Sequence, residues 1–190
     1  MKHHLLAAGR TIRRTGARLR ADKRGVSAIE FALILPIMLL LYLGLTELSQ
    51  AIGIKRKVTL TAHALSDLAS NPKAGRSINQ SEIDNILNAA AAVIMPYSAM
   101  PLTVTVTAIN IDKDGKATVG WSKTRGGSEH EVGTPMTIPA TLAVPNSQLI
   151  LSEAAYAYTP TIGYTISGTL TLSDKLYMAP RIGAITWSNS

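Results

Sequence analysis

Between Val26 and Thr46 the chain reads VSAIEFALILPIMLLLYLGLT, an apolar run in which Glu30 is the one charge. Its 21 residues match the ~20 that an α-helix needs to cross a bilayer core. Beyond the run, apolar positions withdraw to one side: Ile54, Val58, Ala62, Leu65 and Ala69 recur every three or four residues, the spacing of a helix with one buried stripe. Asn71-Pro72 supplies the stop, because a proline disfavours helical backbone at the residue before it. The pattern predicts a single helix over residues 26–70, about 68 Å long at 1.5 Å per residue. Residues 26–46 would form a transmembrane helix and 47–70 an amphipathic extension against a globular head at 71–190. Pro36 removes one backbone donor and crowds the preceding turn, which predicts a kink or local unwinding.

After the loop of residues 71–80, Ser81-Glu82-Ile83-Asp84 predicts a helix start, with Ser81 as the cap and two acids favoured by the helix dipole. That helix should run to Ile94 and end before Pro96. The period then changes to two: Leu102, Val104, Val106 and Ala108 alternate with threonines, and Asp112-Lys113-Asp114-Gly115 carries turn chemistry before Ala117, Val119 and Trp121. This is a hairpin. Residues 124–147 are rich in Gly, Pro, Thr and Ser and predict a long surface connection with a short strand around Met136 to Ile138. Two more strands follow, one with Ile150, Ala154, Tyr156 and Tyr158 on a face and one with Ile166, Leu170 and Leu172. The fold class is α+β: a long N-terminal transmembrane helix, extended by an amphipathic half that packs on a small antiparallel sheet.

Charge sharpens the membrane reading. Residues 1–25 hold eight basic side chains (Lys2, Arg10, Arg13, Arg14, Arg18, Arg20, Lys23, Arg24) against Asp22, which accounts for the whole formal net charge of +7. A basic chain suggests nucleic acid when its Lys and Arg spread over a folded face, but here the excess sits in a short tail before an apolar run, so no nucleic-acid partner is expected. Basic residues stay on the cytoplasmic side, so this flank holds the N-terminus inside and sends the C-terminal part across, into the periplasm of a bacterium. The absence of cysteine excludes disulfides, thiolate metal sites and a cysteine nucleophile.

The string Lys23-Arg24-Gly25-Val26-Ser27-Ala28-Ile29-Glu30-Phe31 resembles the processing site of type IVb prepilins of the Flp class. The resemblance implies that a prepilin peptidase cuts after Gly25, that Val26 becomes the N-terminus, and that Glu30 and Phe31 are the acidic fifth residue and the aromatic after it. Residues 1–25 would then be a basic cytoplasmic leader. The physics agrees with these roles. Gly25 lets a peptidase approach the backbone closely, and Lys23 and Arg24 hold the bond at anionic headgroups of the membrane lipid. Glu30 lies one turn into an apolar helix, where an unpaired carboxylate costs about 2.5–3.5 kcal/mol at mid-bilayer and less near the interface. Cleavage would create a partner for it, the amino group of Val26 on the same or a neighbouring subunit.

The segment GVSAIEFALILPIMLLLYLGLTEL, together with LILSEAAYAYTPTIGY and LYMAPR, is similar to the TadE-like and TadG-like pseudopilins of tight-adherence (Flp, type IVb) pili. That resemblance implies a minor pseudopilin of the inner membrane, at the pilus base or within the filament, supporting surface adherence and biofilm formation. Its implied partners are the prepilin peptidase, other pilins or pseudopilins, and the assembly machinery.

Other readings compete. An uncleaved anchor with a periplasmic binding module shows the same basic flank and apolar run. Small residues at Ser49-Gln50-Ala51 suit a secretory signal cleaved after Ala51, leaving a soluble protein from Ile52, although the apolar region of about 16 residues exceeds the usual h-region. An Arg-rich targeting peptide over residues 5–20 would leave Glu30 unexplained. Glu129-His130-Glu131 has metal-ligand chemistry, but a lone triplet in a glycine-rich loop suits solvent equally, and no metal or other cofactor is expected. Asp112 and Asp114 lack the remaining ligands of a calcium loop. His63 reads as a surface or packing residue, and Tyr156, Tyr158 and Tyr164 as core. No P-loop, nucleophile elbow or paired catalytic site is present, so an enzyme is not expected.

Overall fold

The computed structural model describes residues 24–73, 76–160 and 168–188. The leader before Arg24, Ile166 of the last predicted strand, and Tyr164 lie outside the described residues. The chain divides into two compact units, one ending at Thr46 and the other beginning at Glu47.

One helix, α1 (Arg24–Ser70), runs through both. It stays helical through Pro36 with no unwound residue, so of the kink or local unwinding expected there the unwinding does not occur, because the proline costs one ladder bond among many. In the second unit its apolar stripe is buried as the periodicity requires: Ile54, Val58, Ala62, Leu65 and Ala69. The helix stops before Asn71-Pro72, and its last carbonyls find new donors, with the Arg181 amide reaching Ser70 O at 3.0 Å. The Arg181 guanidinium also pairs with Asp67.

A short strand, β1 (Ser77–Ile78), leads into α2 (Gln80–Ala92). The cap is Asn79 rather than Ser81. Asn79 has extended backbone, and its Oδ1 accepts from the Glu82 amide at 2.9 Å, so the helix starts two residues earlier than the Ser-Glu pair suggests. It also ends at Ala92, two residues short of Ile94.

The hairpin is β2 (Leu102–Ile111) and β3 (Ala117–Arg125). Asp112 makes the turn, accepting through Oδ1 from the amides of Asp114 (2.9 Å) and Lys116 (2.8 Å), with Gly115 at φ 79°. Then come β4 (Ser147–Tyr158), β5 (Leu170–Met178) and β6 (Thr186–Trp187). A four-stranded antiparallel sheet has the order β3-β2-β4-β5, and β1 pairs with β6 in parallel. No strand forms at Met136 to Ile138. That stretch instead bridges the edge of β3, with the Val119 amide donating to Thr134 O and the Met136 amide to Ala117 O. Met136, Ile138 and Leu142 cover a second small core of Ile109, Ile111, Ala117, Leu149 and Leu151.

The main core fills the space between α1, α2 and one sheet face, where Leu102, Val104, Val106, Trp121 and Ile150 meet the helical stripe. Each such side chain contributes about 1.5–3 kcal/mol. α1 and β4 contribute small residues here, among them Ala62, Ser66, Ser152 and Ala154. Among the described residues the hydroxyls of Ser66 and Ser152 are buried without a partner, each costing about 1–3 kcal/mol. The α+β expectation holds, with a long apolar helix followed by a small antiparallel sheet.

Candidate processing and assembly segment

Gly25 lies in the first turn of α1, where a Cβ would meet nothing within 4 Å. Lys23 lies outside the described residues. The backbone of Arg24 begins the helix. Val26 is exposed, as are Glu30 and Phe31. Val26 and Glu30 are four residues apart and so share a face one turn from each other. Around them Ile29, Leu33, Ile34 and Ile37 are also exposed. An 18-residue window of this helix has mean hydropathy 2.3, with none of it buried in the protein. Exposed apolar surface of that extent is costly in water, and its length suits a bilayer core.

The second unit holds a cluster that the sequence reading passed over. Glu47, directly after the apolar run, is only 3% exposed. The Tyr158 hydroxyl donates to the Glu47 carbonyl at 3.4 Å, and the Tyr97 hydroxyl sits 2.6 Å from where a Cβ on Gly53 would stand. Burial, then the Glu47 carboxylate, then Tyr97 push the Tyr158 phenol above its ordinary range, and burial followed by Tyr97 does the same to Tyr156. The sequence signal was available: an acid at the edge of an apolar run, with aromatic residues on the face of β4 that meets α1.

The remaining candidates separate. His130 pairs with Glu153 (Nε2 to Oε2, 2.7 Å) and Glu129 with Lys123 (3.2 Å), so the Glu129-His130-Glu131 triplet is drawn apart by sheet residues. Among the described residues no group of three or more His, Cys, Asp or Glu could hold a metal ion. His63 is exposed on α1, while Tyr156 and Tyr158 are buried.

A family model described as TadE-like protein matches residues 25–65. This segment resembles TadE-like proteins. The match begins at Gly25 and covers the apolar run and most of the buried stripe of α1. It ties the TadE-like segment to the Tad pilus system, and with the apolar helix it fits anchoring in a membrane. No curated protein and no solved structure matches the chain.

Proposed function

We propose that the chain is a minor pseudopilin of a Tad-type (Flp, type IVb) pilus, acting by assembly rather than catalysis. Residues 1–25 are the basic cytoplasmic leader, 26–46 span the inner membrane, 47–70 extend the helix, and 71–190 form a periplasmic head. The prepilin peptidase cuts between Gly25 and Val26, at a bond held near anionic lipid by Lys23 and Arg24. Other pilins or pseudopilins and the pilus assembly machinery are the partners, and adherence and biofilm formation are the outcome.

The observation that supports this reading best is the TadE-like match starting at Gly25, on a helix whose one charge in the apolar run is Glu30. A lone carboxylate there costs free energy in lipid. The amino group of Val26, released one turn away or on a neighbouring helix, offsets that cost and fixes the register between subunits, while Phe31 packs beside it. Glu30→Gln tests this in a host lacking the wild-type chain. The variant should remain in the membrane and lose piliation, and unchanged piliation would contradict the role given to Glu30.

A further inference from the structure

Residues 126–132, GGSEHEV, leave the end of β3 and cross the sheet face opposite the main core. Gly126 and Gly133 bound the segment at φ 82° and 83°, a left-handed backbone that favours glycine. Thr103 Oγ1 donates to Gly126 O at 3.1 Å, and a Cβ on Gly127 would stand 2.5 Å from Thr103 Cγ2. The His130 amide donates to Ser122 Oγ on β3 at 3.1 Å, while its ring meets Glu153 on β4 at 2.7 Å. Because β2 lies between β3 and β4, His130 passes over it, above Thr105 and Thr107. Both threonines are buried, and their hydroxyls pair with Thr124 and Ser122 at 2.8 and 2.9 Å. The floor is therefore polar. Val132, the segment's one large apolar side chain, is 66% exposed, so hydrogen bonds and charge hold these residues down and apolar burial does not.

Glu153 lies between two bases. It bonds to His130, and its direct cross-strand neighbour on β5 is Lys175, with the two Cβ atoms about 5 Å apart on the same face. The Lys175 ammonium stands 6.0 Å from the Tyr177 ring centre. The other charges around His130 are Glu129, which pairs with Lys123 at 3.2 Å, and the exposed Glu131. Arg125 shares the register face of Val104, away from His130, and β2 carries no charged residue. His130 is charged only when protonated. In that state it holds Glu153 by a charge-assisted bond, roughly twice as strong as a neutral one. When it is neutral, Lys175 is the cation beside that carboxylate.

We propose that residues 126–132 form a pH-sensitive strap, closed on the sheet while His130 is protonated and released when His130 is neutral and Glu153 turns to Lys175. Release uncovers Thr105, Thr107 and Ser122. The inference concerns the unit beginning at Glu47 alone, and it holds whether or not the chain is processed after Gly25.

The chain has no cysteine, so Thr107→Cys places a single thiol beneath the strap and Val144→Cys a single thiol at a position 59% exposed. The rate of thiol labelling of the first divided by that of the second, at one pH, separates opening of the strap from the chemistry of the reagent. In the detergent-solubilised full chain this ratio is expected to rise between about pH 5.5 and about pH 8, across which an imidazole loses its charge. The rise should reach at most about fivefold, the equivalent of the most that an exposed ion pair is worth. His130→Gln should abolish the rise, and Lys175→Met should reduce it. A ratio that is the same at both pH values overturns the switch, as does a rise that persists in His130→Gln. A full rise in Lys175→Met removes Lys175 as the second partner of Glu153. Hydrogen exchange of the His130 amide in the wild-type chain, referred to the free-peptide rate at each pH, repeats the test without a substitution in the floor: protection should be greater at the lower pH, and equal protection overturns the proposal.

Discussion

Tyr158, on the last residue of β4, donates its hydroxyl to the backbone carbonyl of Glu47, 111 residues earlier on α1. The bond ties the end of the central sheet to the helix at the point where the apolar run gives way to the head. Both residues are buried, and the carbonyl, which already accepts along the helical ladder, takes the phenol as a second donor.

Removing that hydroxyl should therefore cost stability with little change in packing. Tyr158→Phe is expected to destabilise the detergent-solubilised protein by about 0.5 kcal/mol, the low end for one hydrogen bond because the contact is long, read as a lowered Tm. A Tm equal to that of the wild type would show that the bond contributes nothing.

Asp174 on β5 predicts a pH dependence. The Thr59 hydroxyl bonds its carboxylate, and Lys55 stands 3.5 Å away. Thr59 first, then Lys55 and the Lys175 amide, hold the carboxyl below its ordinary value of 3.8 against an opposing effect of burial. A depressed folded-state value means that the unfolded chain binds the proton more readily. The stabilisation is complete above the ordinary aspartate range and disappears as the pH falls through the lowered folded value. The side chain is 35% exposed, so solvent screening keeps the effect small. Asp174→Asn should flatten the fall of Tm below about pH 4, and Thr59→Val should reproduce part of the flattening. An unaltered acid limb in Asp174→Asn would remove this pair from the account.

Gln148 predicts a local effect. Its Oε1 accepts from the Ile185 amide at 2.6 Å, and its Nε2 donates to the Ile185 carbonyl at 3.1 Å and to Asn110 Oδ1 at 2.9 Å. Trp121 Nε1 donates to the same carbonyl, and the Ile185 side chain is fully buried. Gln148→Ala should loosen the C-terminal segment and its β1–β6 pairing, costing about 1–3 kcal/mol. Faster proteolysis confined to residues 179–188 would report it.

The long helix and the hairpin were legible because their signals are local and repetitive. The stripe from Ile54 to Ala69 has only one helical phase that buries it, and Asp112 to Gly115 has only one turn to make. The cap was misplaced because Ser81 and Asn79 offer the same chemistry two residues apart, and the choice depends on the loop that enters α2. The pairing of β1 with β6 was invisible, since two-residue strands carry no period and Gln148 places Ile185 from 37 positions away. Glu47 gave no signal because a lone acid beside an apolar run looks solvated, whereas the fold buries it beside Tyr158. The proposed processing segment, Gly25 to Phe31, lies within one helix, so its spacing could be read without the fold.

The central claim is that this chain is cut after Gly25 and enters a pilus assembly by its helix. The most direct test is the N-terminal residue of the mature protein, taken from membranes of its native host and determined by Edman or mass-spectrometric sequencing. The account predicts Val26, with Glu30 as the fifth residue of the mature chain. An intact Met1 would contradict it and leave an uncleaved anchor, and a start at Ile52 would contradict it in favour of a secreted soluble head.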